Sequence, residues 1–403
     1  MLASRWASCV SKTLMVLAAS IYQVPAIEAA KRLGYRVVTT DSVPSNPGHA
    51  LADATHAVDT TDLRGVLALA EAERIDGIIS PGTDVAVEAA AFVAERLGLP
   101  GPGLEAARTL TEKRLFRQFL HRNALPCPEV VERFDSADLA GLFENRSWLV
   151  KPNRSSGSKG VFIVNSDAEL ASRIGASESF SVDGSALLEE FIEGTQHTCE
   201  GFLRDGELAV ALVTDRDTVA PPHTATRGHR VPSLLGAAQR LASIAAIEHV
   251  LRLANIKDGP IDCDFVVSDR GVFLIEVTPR LGGNSLSRLV AAALKFDLVS
   301  AAVRCACGDP VLLPPTRPPD AAAIVILGAT HAGRATWNVG EARALAGEPW
   351  VGYLSFDIAC GRLVEAFVNG RHRIGEVLIT GVDRDDVDAK IEEVARRLDL
   401  RTG

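Results

Sequence analysis

The 403-residue chain has no apolar run long enough to cross a membrane as a helix. Its nearest approach, Leu14 to Ala19 behind Arg5 and Lys12, is short and continues into Ile21-Tyr22-Gln23-Val24-Pro25 and a helical pattern. It therefore reads as a first core strand and not a secretory signal, with residues 1–12 a loose extension. The seven cysteines (Cys9, Cys127, Cys199, Cys263, Cys305, Cys307, Cys360) are odd in number, scattered, and contain no Cys-x-x-Cys pair. That argues against a disulfide frame and for reduced thiols in the cytoplasm. Cys305-Ala306-Cys307 is the closest spacing, and a helix end explains it as well as a metal would. Basic charge is scarce too: the net charge is −9 and the pI about 5.6, so no global field favours nucleic acid. The first turn, Ala18-Ala19-Ser20-Ile21, lacks the Gly-x-Gly-x-x-Gly that lets backbone approach a pyrophosphate. Nicotinamide binding is discounted on that ground, even though Asp41 follows the second strand like a ribose-binding acid. A convincing Ser–His–Asp or Cys–His signature is missing as well.

What is present is an ordinary globular composition, 47% hydrophobic and 23% charged, over a length that predicts two or three domains. Up to residue 103 strands and helices alternate: Thr13–Ala18, Val24–Leu33, Tyr35–Thr39, Val66–Glu73, Asp76–Ser80 and Val85–Leu97. This predicts a parallel α/β sheet with crossover helices, closed by the hinge Leu99-Pro100-Gly101-Pro102-Gly103. A second section, 104–308, opens with a helix from Leu104 to about Asn123 and continues as α+β with mostly antiparallel strands. Its elements are Trp148–Lys151, Val161–Val164, Ala168–Ile174, Ala186–Glu190, Thr198–Leu203, Leu208–Thr214 and the helix Leu234–Leu253. The third section, 309–403, follows a proline-rich stretch and carries strands at Gly352–Ile358, Ala366–Asn369 and Glu376–Thr380 before a helix at Asp385–Leu398.

Chemistry concentrates in residues 261–284. Two runs of β-branched and aromatic residues flank Ser268-Asp269-Arg270-Gly271, a hairpin pattern. A three-residue loop Asp269–Gly271 sets Asp264 directly opposite Glu276, with Cys263, Phe265 and Val267 facing Val277, Ile275 and Phe273 on the other, apolar side. Like charges opposed in a sheet are unfavourable; a hard cation such as Mg²⁺ removes the penalty. Taken alone, the pair is equally a solvated face. Arg280 follows, placed to meet phosphate or carboxylate oxygens, and Gly282-Gly283-Asn284 lies beside it.

Upstream, Lys151 ends an apolar strand and leads into Pro152-Asn153-Arg154-Ser155-Ser156-Gly157-Ser158-Lys159-Gly160, a small-residue loop able to present backbone N–H groups to phosphates. It is not Gly-x-x-x-x-Gly-Lys-Ser/Thr, so the P-loop mechanism does not apply. Leu187-Leu188-Glu189-Glu190-Phe191-Ile192-Glu193-Gly194 reads as a buried strand breaking into a turn, where freed backbone groups could meet an adenine edge. The basic segment 221–233 reads as an irregular loop in which Arg227, His229 or Arg230 is either a substrate contact or plain surface.

In this order the three motifs resemble the ATP-grasp superfamily, of the carboxylate–amine ligase type found in carbamoyl-phosphate synthetase, purine-biosynthetic and L-amino-acid ligases. The resemblance implies ATP between two α+β subdomains, behind a Rossmann-like N-terminal sheet and ahead of a C-terminal α+β section. It places Lys113 and Lys151 as nucleotide lysines, and Ser156, Gly157, Ser158 and Gly160 in the lid over the phosphates. Adenine falls to Glu189, Phe191 and Ile192, the ribose to Gln196, and magnesium (or manganese) to Asp264 and Glu276. Lys151 and Arg280 serve the transferred phosphate; Arg280, Gly283, Asn284 and His229 line the substrate site. Two positions depart from the pattern: Gln196 stands where a ribose-binding glutamate is usual, and Thr278 where a metal-binding asparagine is frequent.

The implied reaction activates a small carboxylate as an acyl phosphate and couples it to an amine, releasing ADP and phosphate. Two alternatives stay open: a carboxyphosphate-forming enzyme of the biotin-carboxylase kind, without a biotin-attachment motif in this chain, and an ATP-binding regulatory module whose chemistry has lapsed. The expected partners are small molecules, with neither nucleic acid nor membrane, and a homodimer is an expectation at the level of the family.

Overall fold

The computed structural model describes residues 11–131 and 141–403; the expectation for residues 1–10 lies outside them. Lys12, expected in a loose extension, is tied down: its Nζ donates to Cys307 O at 2.7 Å and pairs with Asp309 at 2.6 Å.

The fold is mixed α/β and α+β, as the pattern predicts. Four parallel strands form the N-terminal sheet in the order Ala54–His56, Arg36–Thr40, Thr13–Leu17, Gly77–Ile79. All five residues of Thr13–Leu17 are buried, which requires cover on both faces. Met15 and Leu17 pack on the helices Leu63–Glu73 and Val87–Leu97 through Val66, Ala70 and Val93. Leu14 and Val16 pack the other way, against Ile27 and against Val299 and Val303 of the helix Leu298–Ala306. Asp41 is consumed by its own turn, accepting from the N–H groups of Ala19 and Val43 and from Asn46. No dinucleotide role is left for it.

A small antiparallel sheet follows, ordered Val130–Val131, Ala186–Glu190, Trp148–Pro152, Phe162–Val164. The largest sheet has eight strands: Gly271–Thr278, Gly259–Ser268, Thr195–Arg204, Glu207–Thr218, Thr226–Val231, Ala322–Leu327, Gly375–Thr380, Val351–Phe356. It runs unbroken from the second section of the chain into the third, so residues beyond 309 extend the sheet that carries the hairpin.

Four expectations need correction. The helix expected over Leu104–Asn123 is two, Leu104–Thr111 and Lys113–Arg122, broken at Glu112, whose ψ of 114° is extended. The break puts Lys113 at a helix start, its N–H donating to Asn153 O at 3.2 Å. The segment taken as an irregular loop contains the strand Thr226–Val231 in the middle of the large sheet. Gly228 is small because a Cβ there would meet Ile324 O at 2.6 Å. Ala366–Asn369 is not a strand; Phe367 is buried against Ala225 and Ile326 and the chain turns at Gly370. Finally, the hairpin closes through two residues, pairing Ser268 with Gly271, and its extra residue sits at Ile275. Phe265 therefore opposes Leu274 and Val267 opposes Val272, while Asp264 still opposes Glu276. The bulge turns Phe273 away from the main core and onto Ile192 and Val266.

Among the described residues no helix is long and apolar enough to cross a membrane.

Candidate active site

Directly opposed residues in a sheet present their side chains on one face. Across the large sheet this rule lines up Glu276, Asp264, Thr198 and Thr214, and then Arg216 with His229, as the floor of a cleft. A parallel row, Thr278, Asp262 and Glu200, lies one step along the strands.

At one end the small sheet roofs the floor. Lys151 is 2% exposed and Glu189 2% exposed, and they form a buried ion pair. Arg117 completes it, donating from Nε to Glu189 Oε2 at 2.9 Å and from Nη2 to Ile275 O at 2.8 Å. Burial drives the Lys151 pKa down to about 8, with the Arg117 and Lys113 charges adding to it against the pull of Glu189. Burial would raise the Glu189 pKa, but the charges of Arg117 and Lys151 outweigh it and hold Glu189 at about 2. Lys113 reaches Ser155 O at 3.2 Å and stands 3.6 Å from Glu276 Oε1. That Glu276 oxygen is buried and has no hydrogen-bond partner. Asp264 accepts from Thr198 Oγ1 at 2.6 Å and pairs with Arg216 at 3.1 Å.

The loop over this end carries three successive positive-φ sites, Gly157 (71°), Ser158 (55°) and Gly160 (69°). At Gly160 a Cβ would also press on Phe180 at 3.0 Å. Ser156, Gly157, Ser158 and Lys159 line both this pocket and the cleft beyond. The loop is anchored from the far section, Gly370 N–H donating to Gly157 O at 3.1 Å. Phe191, Ile192 and Gln196 line the same pocket, with Ile192, Val266 and Ile275 as its apolar wall and Phe273 packed against that wall.

The structure thus brings together Lys113, Lys151, the loop residues 156–159, Phe191, Ile192, Gln196, Asp264 and Glu276, while Gly160 does not line the pocket. It differs at Glu189, whose carboxylate is taken by Lys151 and Arg117, so only its backbone is left for a base. Phe191 N–H is likewise taken, by Ser147 O at 3.1 Å. Thr278 turns its hydroxyl to Asp262 O at 3.2 Å, back into the sheet.

Beyond the 156–159 loop the cleft widens to about 790 Å³ and is lined by Arg280, Gly283, Asn284 and His229. Arg280 is held at all three nitrogens, Nε donating to Asp84 Oδ1 at 2.7 Å, Nη1 to Asp262 Oδ2 at 2.6 Å and to Leu281 O at 3.0 Å, and Nη2 again to Asp84, which leaves one Nη2 N–H uncommitted. These carboxylates raise the guanidinium's pKa further against its burial. Burial, reinforced by Asp264, lifts the Asp262 pKa to about 7, and burial likewise raises Asp84 and Glu200. Glu200 is capped by Gly282 N–H at 2.9 Å. His229, expected on an exposed loop, is 2% exposed, and burial with the Arg216 charge lowers its pKa to about 3. Its Nδ1 lies 3.1 Å from Thr214 Oγ1, and its Nε2 is buried without a partner.

Sequence reasoning missed Arg117, Asp84, Asp262, Glu200 and Arg216. Asp262 was within reach, since it shares a face with Asp264 two residues on; Asp84, 196 residues from Arg280, carries no local signal.

Among the described residues no group of three or more His, Cys, Asp or Glu is arranged to hold a metal. Asp264 with the unpartnered Glu276 oxygen, flanked by Lys113 and Lys151, nevertheless fits a magnesium ion that draws its remaining ligands from phosphate and water.

The family model described as ATP-grasp domain matches residues 145–288, and that described as ATP-grasp N-terminal domain matches residues 27–101. The formate-dependent phosphoribosylglycinamide formyltransferase of Burkholderia vietnamiensis is 27% identical over 406 residues, covering 95% of this chain and 94% of the relative. Carnosine synthase 1 of Homo sapiens is 28% identical over 325 residues, covering 72% of this chain but only 39% of the relative. The crystal structure of L-amino acid ligase from Bacillus licheniformis superposes with a TM-score of 0.81 at 18% identity, covering 98% of each chain. Phosphoribosylglycinamide synthetase from Anaerococcus prevotii gives 0.76 at 19%, covering 98% and 100%. At such identities the structural likeness is one of fold.

Proposed function

We propose that this chain, which belongs to the ATP-grasp family, is an ATP-dependent ligase that activates a small-molecule carboxylate as an acyl phosphate and couples it to an amine. The observation carrying this reading is the convergence of Lys113, Lys151 and the 156–159 loop on Asp264 and Glu276, with a polar cleft directly beyond. Three stretches of the chain divide the work in this reading. Residues 1–103 wall the cleft with Tyr22 and Asp84, 104–308 bind nucleotide, and 309–403 close the far side with Asp357 and Arg373.

Lys113 and Lys151 would bind phosphate oxygens, and the loop would cover them and exclude water. Glu189 and Arg117 hold Lys151 in place. Asp264 and Glu276 would hold magnesium, which when bound neutralises phosphate charge and orients the transferred group. A substrate carboxylate oxygen then bonds to the γ-phosphorus while the bond to the ADP oxygen breaks. The amine nitrogen next bonds to the acyl carbon, phosphate leaves, and the nitrogen loses a proton. Arg280 lines the cleft beyond and would meet the transferred phosphate through its uncommitted Nη2 N–H.

Carnosine synthase and L-amino acid ligase, by their names, join or make compounds of this kind, which supports amino acids as substrates. The test is phosphate release from Mg·ATP across paired small carboxylic and amino acids. Release that needs both partners supports the ligase. Release with bicarbonate alone favours carboxyphosphate chemistry, and release indifferent to every addition points to the lapsed module.

A further inference from the structure

A side pocket of about 570 Å³ branches from the cleft and shares Ile21, Tyr22, Gly283, Asp357 and Arg373 with it. Four charged residues line it: Arg288, Asp357, Arg373 and Glu376. Three are spoken for. Arg373 pairs with Asp357 at 2.6 Å and with Glu376 at 2.9 Å, and Ser285 Oγ donates to Glu376 at 2.5 Å. Arg288 is different. Among the described residues it has no carboxylate within ion-pair reach, and its Nε is buried without a partner. Its guanidinium sits over the Tyr353 ring, with Cζ 4.0 Å from the ring centroid. Contact with the ring face restrains the fork while leaving donors for an anion.

We propose that Arg288 is the anchor for the carboxylate of the amine-bearing substrate, and that this substrate is a free amino acid or the C-terminus of a short peptide. The proposal rests on the ligase reading and specifies its second substrate. A guanidinium fork matches a carboxylate through two parallel N–H···O bonds. Charge balance selects the class. The two arginines and two carboxylates of the pocket cancel, so a zwitterion enters at no net charge. A phosphate dianion would bring two negative charges against Asp357 and Glu376 with a single uncommitted cation to meet them. Val24, Pro25 and Val299 add an apolar wall for a side chain. Bound by its carboxylate at Arg288, the substrate can extend its amine past Gly283 into the cleft that holds Arg280.

Isothermal titration of the full chain with the standard L-amino acids, their amides and ribose 5-phosphate tests this. At least one amino acid should bind, its amide at least tenfold more weakly, and ribose 5-phosphate not at all. Arg288→Met, which keeps the aliphatic stem on Tyr353, should weaken amino-acid binding at least tenfold, Arg288→Lys less, and both should bind a non-hydrolysable ATP analogue within twofold of wild type. The proposal is overturned if the amide binds as well as the acid, if ribose 5-phosphate binds in its place, if no amino acid binds, or if Arg288→Met changes nothing. Arg288-dependent amino-acid binding without any ADP release would sink the ligase reading alone. Ligation indifferent to Arg288 would sink this proposal alone.

Discussion

The two ends of the cleft hold their charges differently. Around the proposed nucleotide end Lys113, Lys151, Lys159 and Arg216 face Glu189, Glu190, Asp264 and Glu276, and because Arg146 and Arg270 hold Glu190 from outside the pocket, cationic charge is left over to suit a polyphosphate. At the other end Arg280 alone sits among Asp84 and Asp262, with Glu200 behind them, a surplus of acid. The first arrangement is incomplete until an anion arrives. The second is already neutralised internally, and buried ion pairs of this kind hold geometry more than they add stability. In the proposed reading the Lys113–Lys151 end is a binding device, and the Arg280 end a group positioned by its ion pairs.

The sharpest way to break this contrast is at the floor. Glu276→Ala removes the carboxylate whose oxygen is buried and unpartnered, and should lower ADP release by about 10²–10³-fold while Mg-independent nucleotide binding changes little. Undiminished release would remove Glu276 from the metal assignment. Lys151→Met comes next, with a loss of about 10²-fold in kcat/KM for ATP. The fold should survive it, because Arg117 still neutralises Glu189.

The proposed nucleotide end was legible in the sequence because its residues come in contiguous runs whose spacing is the signal: Lys151 to Lys159, Glu189 to Ile192, Asp264 to Glu276. Even there the hairpin register came out right at Asp264 and Glu276 for the wrong reason. A bulge leaves little mark on composition, and placing it at Ile275 instead of Gly271 decides whether Phe273 faces the main core or packs on Ile192 and Val266. The acceptor end was not legible. Tyr22, Asp84, Arg288 and Arg373 come from distant parts of the chain, and only the tertiary fold makes them neighbours. His229 misled for a related reason: Thr-Arg-Gly-His-Arg-Val lacks apolar alternation, because one of its faces is the cleft floor and not a core.

The contrast can also be sharpened with pH. The Lys151 pKa, pushed down to about 8 by burial, means that the free protein loses this charge as pH rises past about 8. ATP affinity should fall there by up to about tenfold per pH unit, since the bound phosphate favours the ammonium. Stability moves the other way. Between about 8 and the ordinary value of 10.5 the unfolded chain holds the proton and the folded chain does not, so this group's contribution rises with pH. Urea denaturation and ATP titration at pH 7.5 and 9.5, with Lys151→Met as the control that lacks both trends, check the signs. An ATP affinity flat across that range would place Lys151 away from the phosphates.

The smallest expected effect on nucleotide is the most telling about the division itself. Asp84 bonds Arg280 but does not line the nucleotide pocket. Asp84→Asn keeps the shape and leaves Arg280 paired with Asp262 at 2.6 Å. It should cost about 1–3 kcal/mol of stability in urea denaturation, less than orphaning the arginine outright. ATP affinity should stay within about twofold, because the change lies outside the groups that meet phosphate. Coupling of acid to amine, in which Arg280 is proposed to take part, should change by more than ATP binding does. If Asp84→Asn instead weakens ATP as much as Lys151→Met, the two ends are one electrostatic unit and the contrast between them fails.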